Sequence, residues 1–406
     1  MILTSKTCVC PFCYFPVELD RIMFQCEGRQ APGRTPCEPG DDDEQAKQRY
    51  EMTGSSEPIM KVFGPDEHHK HFRSGDRMAC PSCGGMSGIR VCHNCYTQLP
   101  PAFGAGASPM IGMVGAKASG KTVYMSVLVN ELQKRIGQRF QASITFFGGM
   151  RPGIGFGEKN WLRQYQDSLY NAGVLPPQTQ AASGRVQYRE PLVVTWQQQG
   201  RSVAGRDRVK SITMSLLDSA GEDFNDMERV RSQHYLGSAD ALIVILDPFQ
   251  CPAHHDLPGR DSDDPEPPVD VLRRVADMLR ERHGISATKK IPVPIAAVFS
   301  KMDAFYQVLP DGNPVKDVGR LGSAYDEVDG RNVHDHVEAL LEEWGSSDIT
   351  TYLRLNFKTF RYFGVSALGS EPDYSTEQLS RPPIPHRVED PLLWILSQQK
   401  LIPRVN

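Results

Sequence analysis

Long apolar runs are missing from this sequence. No stretch approaches the ~18–20 residues needed to span a bilayer. The longest, around Ala241–Leu246 and Ile291–Phe299, are strand-length and end in polar residues. An excess of charge of one sign is missing too. Lys and Arg number 45 against 49 Asp and Glu, a formal net charge of −4, so no global basic field favours nucleic acid or an anionic membrane. The N-terminal MILTSKTCVC lacks the apolar core of a secretory leader, which makes the cytoplasm the expected location. Cysteine is almost absent beyond residue 95, where Cys251 stands alone. The other nine crowd into the N-terminal quarter, mostly as Cys-x-x-Cys pairs. Without a leader, that pattern argues against a disulfide framework and for metal-bound thiolates in a reducing compartment.

At 406 residues the chain has room for two or three domains. Residues 1–99 read as a cysteine-rich, zinc-binding domain. Cys10-Pro-Phe-Cys13, Cys80-Pro-Ser-Cys83 and Cys92-His-Asn-Cys95 each set two thiolates at the end of a tight turn, and Cys26 and Cys37 add two more. Zinc takes four soft ligands in a tetrahedron, which two such turns supply at small entropic cost. Cys80–Cys95 could be a compact ribbon by itself, leaving Cys10, Cys13, Cys26 and Cys37 for a second ion. A cross-braced arrangement is equally allowed, the first and third pairs sharing one ion while Cys26 and Cys37 join the last pair. Cys8 is left over and reads as a free surface thiol. Arg and Lys do not cluster at the knuckles, so a structural staple or protein-docking module is favoured over a nucleic-acid binder. Asp41–Ser56 is acidic and polar, and the histidine cluster Glu67-His-His-Lys-His71 could ligate a metal but reads as solvated loop.

Leu99–Ser108 (LPPAFGAGAS) reads as a Pro/Gly/Ala linker, placing the boundary at 100–108. The chain then reads MIGMVGAKASGKT from Met110 to Thr122. The apolar run Met110–Val114 is a buried strand, and Gly115-x-x-x-x-Gly120-Lys121-Thr122 is a complete phosphate-binding loop. A helical pattern (Val123, Val127, Leu128, Leu132) starts directly behind it. Glycines let backbone N–H groups wrap a phosphate, and the helix N-terminus adds partial positive charge. Lys121 would reach the β- and γ-phosphates and the Thr122 hydroxyl would meet Mg²⁺.

Downstream, Phe140–Phe147 reads as a strand, and Trp161, Leu162, Tyr165, Leu169 and Tyr170 recur at helical spacing as a core stripe. Asn171–Arg185 is a loop containing Pro176-Pro177-Gln178-Thr179, followed by β-rich segments Val186–Trp196 and Val209–Leu217. Leu216–Phe224 (LLDSAGEDF) places an aspartate at a strand exit, before Ser-Ala-Gly. There Asp218 can hold Mg²⁺ through water and the Gly221 N–H can meet a γ-phosphate. Ala241–Leu246 is the next strand. Phe249–Pro268 reads as a Pro/Asp-rich surface loop, in which Cys251, His254 and His255 are incidental. A helix at Val271–Leu279 and a strand at Ile291–Phe299 lead into Ser300-Lys301-Met302-Asp303. A helix at Val333–Trp344 and the strand Phe360–Val365 lead into Ser366-Ala367-Leu368, and a final helix covers Pro391–Gln398.

Over about residues 109–400 these motifs, in this order, resemble the Ras-like GTPases of the translation-factor-related P-loop class. Gly115–Thr122 matches the phosphate loop and Asp218-Ser-Ala-Gly221 the switch II motif. Ser300-Lys301-Met302-Asp303 is similar to the guanine-specificity motif, with Ser for the usual Asn, and Ser366-Ala367-Leu368 resembles the loop that backs the base. Pairing with a cysteine-rich module is most similar to the bacterial double-GTPase proteins of conflict and defence gene clusters. The resemblance implies an α/β fold for residues 109–406, a mostly parallel P-loop NTPase sheet flanked by helices, behind the small zinc domain. It implies GTP or GDP with Mg²⁺, the nucleotide cradled by Gly115, Ala116, Lys117, Ala118, Ser119, Gly120, Lys121, Thr122 and Val123. Asp303 would accept from guanine N1–H and the exocyclic amine, with Ser300, Lys301, Ser366, Ala367 and Leu368 around the base. Thr122 and Asp218 would serve the metal, and Lys121, Thr179, Gly221 and Glu222 catalysis.

Two positions depart from that family. Glu222 stands where many relatives carry Gln; a carboxylate cannot donate to the γ-phosphate and its charge repels it, so slow turnover or activation by a partner is expected. Lys117 stands where many relatives have a small residue, facing either the phosphates or solvent. The chain therefore reads as a GTPase switch with protein partners at its zinc module or switch regions. The alternatives are a catalytically weak nucleotide-binding scaffold, a zinc-ribbon nucleic-acid-binding P-loop NTPase, and an adenine-specific relative.

Overall fold

The computed structural model describes residues 7–40, 43–53, 58–64, 76–116, 118–147, 165–176, 191–201, 207–218, 235–254, 267–317, 319, 322–373 and 375–406. The chain divides into two compact units. One holds Met1–Met110, Phe146–Gly148 and Val186–Ser215; the other holds Ile111–Thr145, Gly149–Arg185 and Leu216–Asn406. The longer strands are β1 (Met110–Gly115), β2 (Ala142–Phe147), β3 (Leu192–Arg201), β4 (Asp207–Asp218), β5 (Ala241–Leu246), β6 (Ile295–Phe299) and β7 (Phe360–Gly364). The helices that accompany them are α1 (Lys121–Glu131), α2 (Pro268–His283), α3 (Glu327–Glu343), α4 (Ser347–Asn356) and α5 (Asp390–Gln398).

In the second unit the hydrogen-bonded order is β7-β6-β5-β1, and all three pairings are parallel. Every residue of β1, β5 and β6 is buried, as expected of parallel strands covered on both faces. Register aligns their exits: Gly115 lies opposite Ile245, Ile245 opposite Val298, and Val298 opposite Phe363. The segments following β1, β5, β6 and β7 therefore emerge at one end of the sheet, the carboxyl end where open α/β sheets bind ligands. This is the mostly parallel α/β arrangement that the resemblance implies.

The helices form for local reasons. Val271, Leu272, Val275, Ala276 and Leu279 line one buried face of α2, which opens with Pro268 and ends at Gly284 in the left-handed conformation. The Asp326 carboxylate accepts from the Asp329 N–H (3.0 Å) and caps α3. The π-helical turn Leu132–Ile136 continues α1, so the helix expected behind the phosphate loop extends with a local widening. The strand expected at Ile291–Phe299 is shorter. Pro292 and Pro294 lack the N–H of a ladder, so Ile291 makes only an isolated bridge to Phe357 before β6 begins at Ile295. The strand expected from Val186 is observed from Leu192, directly after Pro191, and runs on to Arg201. Residues 177–190 lie outside the described set. No helix among the described residues is long and apolar enough to cross a membrane.

One edge contact carries a pH prediction. The Tyr362 N–H on β7 donates to His334 Nδ1 (3.0 Å), and the imidazole stacks on the Tyr362 ring at 5.2 Å. Only an unprotonated Nδ1 can accept. Burial, with Arg361 and Arg354 nearby, holds the His334 pKa below its usual value. The unfolded chain thus binds the proton more readily, and this contribution is complete above about pH 6.5 and lost as pH falls below it. Between pH 8 and pH 5.5 the wild-type unfolding midpoint should fall relative to that of His334→Gln, whose side-chain oxygen accepts but does not titrate. Parallel melting curves of the two proteins at several pH values check this.

In the first unit, residues 99–108 are packed. The Leu99 N–H donates to the Arg90 carbonyl (2.8 Å), Phe103 is buried, and the Arg90 guanidinium hydrogen-bonds the Pro100 and Pro101 carbonyls. Gly106 lies against β4 so closely that a Cβ would sit 1.9 Å from the Ser211 carbonyl oxygen. The Thr213 and Ser215 N–H groups donate to Ala107 (2.9 Å) and Pro109 (3.3 Å).

Candidate functional site

The three Cys-x-x-Cys turns share one geometry. The residue after the second cysteine (Tyr14, Gly84, Tyr96) has positive φ, and its N–H returns to the carbonyl of the first. Phe12 and Asn94 N–H groups also donate to Cys10 and Cys92 Sγ, each at 3.4 Å. The thiols gather as two sets, Cys10, Cys13, Cys92 and Cys95, and Cys26, Cys37, Cys80 and Cys83, with all donor atoms of a set within 4.8 Å. Both pairings left open by the spacing give way to this nested one, and Cys80–Cys95 is not a ribbon by itself. The cause is strand register. Met23–Gln25 pairs antiparallel with Arg90–Val91, so the chain before Met23 and after Val91 meets at one end, and the chain after Gln25 and before Arg90 at the other. Sulfur separations of 3.8 and 3.9 Å in the first set, and 3.4 and 3.9 Å in the second, suit the edge of about 3.8 Å that a tetrahedron with 2.3 Å Zn–S bonds has. One thiol of each set is held low, Cys83 at about 7 by the Gly85 N–H and Cys92 well below the usual range by the Cys10, Cys13 and Cys95 thiols. Burial pushes Cys10, Cys26 and Cys37 up, so the fit to zinc rests on the sulfur geometry. Both sets thus fit zinc. Cys8 belongs to neither and is half-buried against the first, its thiol pushed up by burial; it is not the surface thiol expected.

At the sheet's carboxyl end, β1 runs into the phosphate loop. A Cβ on Gly115 would stand 2.5 Å from the Ile245 carbonyl oxygen and 2.8 Å from Ser119 Oγ, and Gly120 (φ +84°) turns the chain into α1. Ala118 also adopts positive φ. Lys121 opens α1 and folds its ammonium back over the loop, donating to the Gly115 and Ala116 carbonyls at 2.7 and 2.6 Å. Thr122 and Val123 complete the first helical turn.

The segment after β6 meets this loop. Ser300, where the resembled family usually carries Asn, donates its hydroxyl to the Ser119 carbonyl (2.8 Å), with the Leu246 carbonyl at 3.2 Å. The Met302 N–H donates to Val365, which ties the loop after β6 to the one after β7 (3.1 Å). The Asp303 carboxyl hydrogen-bonds the Ser366 side chain, whose oxygen in turn accepts from the Gly369 N–H (2.8 Å). Burial raises Asp303 above the ordinary aspartate value, and Ser366, His386 and Lys301 draw it back. Ser366 exchanges both backbone hydrogen bonds with His386, and the Leu368 carbonyl accepts from Ile384 N–H (2.9 Å). Ala367 thus sits in a loop pinned on both sides. The Lys301 ammonium is anchored on Asp247 (2.7 Å) over the Phe249 ring, which fixes the path of its stem.

The profile of one known family, Double-GTPase 2, matches residues 109–368, from the residue before β1 to the end of the Ser366–Leu368 loop. The chain belongs to the Double-GTPase 2 family. It is therefore a GTP-binding P-loop protein. A relative from Mycolicibacterium smegmatis, described as the putative ESX-1 scaffolding and assembly protein SaeC, is 26% identical over 339 residues, covering 76% of this chain and 80% of that protein. Among solved structures, the Trypanosoma brucei small GTPase Arl6 BBS3 with bound GppNp is 13% identical and covers 72% of this chain and 98% of its own, with a TM-score of 0.28. The G domain of the T. maritima iron transporter FeoB is 10% identical, covering 65% of this chain and 91% of its own, with a TM-score of 0.23.

Of the residues expected to serve this family's chemistry, Lys117, Thr179, Gly221 and Glu222 lie outside the described set. The backbone of Asp218 ends β4. Glu67–His71, Trp161, Leu162 and His255 also lie outside it. Cys251 and His254 are buried, and the His254 ring packs between Phe305 and Trp344 (4.6 and 4.8 Å), consistent with a packing role. Sequence reading missed Asp247, the anchor of Lys301; an aspartate at the exit of a buried strand was the available signal. It also missed His386, which lies 20 residues beyond Ser366 in a Pro-rich segment without periodicity.

Proposed function

We propose that the chain is a Mg²⁺-dependent GTPase that works in the cytoplasm as a nucleotide-controlled switch. The observation that carries this is the join between loops: the Ser300 hydroxyl holds the base-recognition segment on the phosphate loop, and Asp303 is braced by Ser366. In this reading Asp303 accepts from the two guanine donors, and Ser300, Lys301, Ala367 and Leu368 frame the base. The Gly115–Val123 loop, including Lys117, cradles the phosphates, with Lys121 on the β- and γ-phosphates. Thr122 and Asp218 hold the metal. Thr179, the Gly221 N–H and Glu222 act on the γ-phosphate and the attacking water, and Glu222 keeps intrinsic turnover slow. The cysteine-rich module, residues 1–99 joined through 100–108 to 109–406, holds two zinc ions and serves protein docking, in the setting of a bacterial conflict or defence system.

Phosphate release from GTP under single-turnover conditions tests the reading. The wild type should hydrolyse GTP at about 10⁻⁴–10⁻² s⁻¹, dependent on Mg²⁺, and Lys121→Ala should lower that rate about tenfold or more by removing a charge aimed at the developing phosphate charge. Tight GTP binding without any phosphate release would favour a second reading, a nucleotide-binding scaffold. The description of the Mycolicibacterium smegmatis relative as a scaffolding and assembly protein gives that reading its support.

A further inference from the structure

The exits of β5 and β6 are tied together by one buried aspartate. Asp247, the residue after β5, is 6% exposed. Its Oδ1 accepts from the Phe249 N–H (3.0 Å) and its Oδ2 from the Lys301 ammonium (2.7 Å). Lys301 itself has φ +55° and ψ +28°, the left-handed region that a long side chain seldom occupies. Both of its chain neighbours are fixed. The Ser300 N–H donates to the Leu246 carbonyl (3.1 Å) and the Ser300 hydroxyl to Ser119 (2.8 Å), while the Met302 N–H donates to Val365 (3.1 Å). The ammonium also lies 5.7 Å from the centre of the Phe249 ring, which meets Phe305 at 5.2 Å.

We infer that Asp247 is a positioning residue for base binding: it holds the Lys301 stem by protein contacts alone and so sets how long a guanine nucleotide stays bound. The inference rests on the proposed function, in which Lys301 frames the base, and deepens it by adding a residue that acts through Lys301. Capping alone does not explain an aspartate here. The Phe249 N–H needs only an acceptor, which Asn, Ser or Thr would supply without a buried charge. Stability does not explain it either, since apolar packing of the same volume is often as stabilising as a buried ion pair. What the pair supplies is fixed geometry. A free lysine side chain samples many rotamers, and ordering it on ligand binding costs affinity. Here the backbone conformation and the ammonium are both held, so the methylene stem between them has little freedom left. Backbone strain kept in place by surrounding contacts is a mark of pre-organisation at ligand sites. With the ammonium released, Lys301 regains its rotamers and its backbone relaxes. A bound base then loses the face that keeps its edge aligned with Asp303 in the following turn.

The test uses the full chain and fluorescent methylanthraniloyl-GDP, released against excess GDP in the presence of Mg²⁺. Asp247→Asn keeps an acceptor for the Phe249 N–H and removes the charge that holds Lys301. It should release the probe about tenfold faster or more, the scale of coupling between residues in one ion pair, because such losses appear mainly in dissociation. Lys301→Met keeps most of the apolar stem, has no charge to offer the carboxylate, and should also release the probe faster. In the Lys301→Met background, Asp247→Asn should change release by less than about twofold, because no tether is left to cut. Affinity for inorganic tripolyphosphate, which has no base, should stay within about twofold in Asp247→Asn; a general loss of structure would not spare it. If that variant folds poorly, Asp247→Ser keeps the cap and drops the charge in the same way, and the same readings apply. Wild-type release from the Asp247 variant would overturn the inference. So would an equal acceleration with and without Lys301. Either result, from protein that binds GDP, leaves the proposed function standing. A wild type that binds no guanine nucleotide would instead remove the proposed function, and the inference with it.

Discussion

Asp303→Asn should abolish the preference for guanine. In the proposed reading the carboxylate offers two acceptors to two base donors, N1–H and the exocyclic amine, and this half-buried group is held by a hydrogen bond with the Ser366 side chain. Asparagine keeps the shape but turns one acceptor into a donor, which then faces the exocyclic amine. A buried site built to bond a polar edge rejects a mismatched one by roughly 10³–10⁵, so GDP affinity should fall by about 10³ or more. Xanthine carries a carbonyl where guanine has the amine, so XDP should bind the variant better than GDP. Competition titrations with GDP, XDP and ADP on both proteins read this directly; unchanged GDP affinity in the variant would show that Asp303 does not face the base. The same carboxyl gives a pH signature. Burial raises its pKa, and only the ionised form accepts from both donors. Guanine affinity should therefore decline on acidification at a higher pH than an ordinary exposed aspartate would cause, and the decline should be missing in the Asn variant.

How far the sequence carried the reading depended on whether a signal was local. β5 and α5 lie almost where periodicity puts them, because a buried parallel strand and an amphipathic helix each declare themselves within a few residues. The phosphate loop was legible for a related reason: its glycines are demanded by local geometry, Gly115 by its approach to the Ile245 carbonyl and Gly120 by its φ. Joins between distant segments were not legible. Ser300 on Ser119 and His386 on Ser366 are contacts across 181 and 20 positions, and nothing in a Pro-rich run announces which loop it will brace. The helix α4 was missed because Ser347–Asn356 buries only Ile349, Thr350 and Leu353, too few positions to set a period. The cysteine pairing shows the limit most clearly. Spacing within each pair says that two thiolates sit on one turn, but which turns meet is decided by the antiparallel register of Met23–Gln25 on Arg90–Val91, a long-range fact carried by two- and three-residue strands.

Removing zinc should unfold most of the cysteine-rich module. Its strands among the described residues are short, Thr7–Val9, Pro16–Glu18, Met23–Gln25, Val62–Phe63, Met78–Ala79, Met86–Ser87 and Arg90–Val91, and its helix Asp43–Thr53 has 11 residues; neither kind of element is stable alone at such lengths. Its two principal cores are organised around the thiols themselves, with Phe12, Val17 and Ile22 packed on one set and Phe24, Phe63 and Met78 on the other. Where metal ligands occupy the centre of so small a core, metal binding is folding free energy, about 10–16 kcal/mol per structural zinc at neutral pH. The purified chain should accordingly hold two zinc ions, and Cys92→Ser should reduce the content to one, since a hydroxyl is a poor substitute for a buried thiolate. The loss of affinity at that site should exceed the 10–100-fold typical of losing a mere outer-shell partner. Strong chelation should open residues 7–99 to protease while Ala241–Leu246 and Ile295–Phe299, buried in a sheet that contains no cysteine ligand, stay protected. The sign of the pH effect follows from the chemistry of the donors: zinc requires thiolates, so retention should fall as protons compete on acidification. Elemental analysis, chelator titration and limited proteolysis read these outcomes. A module that kept its protease resistance after losing both ions would show that its apolar contacts suffice and that the thiols only decorate a core that folds without them.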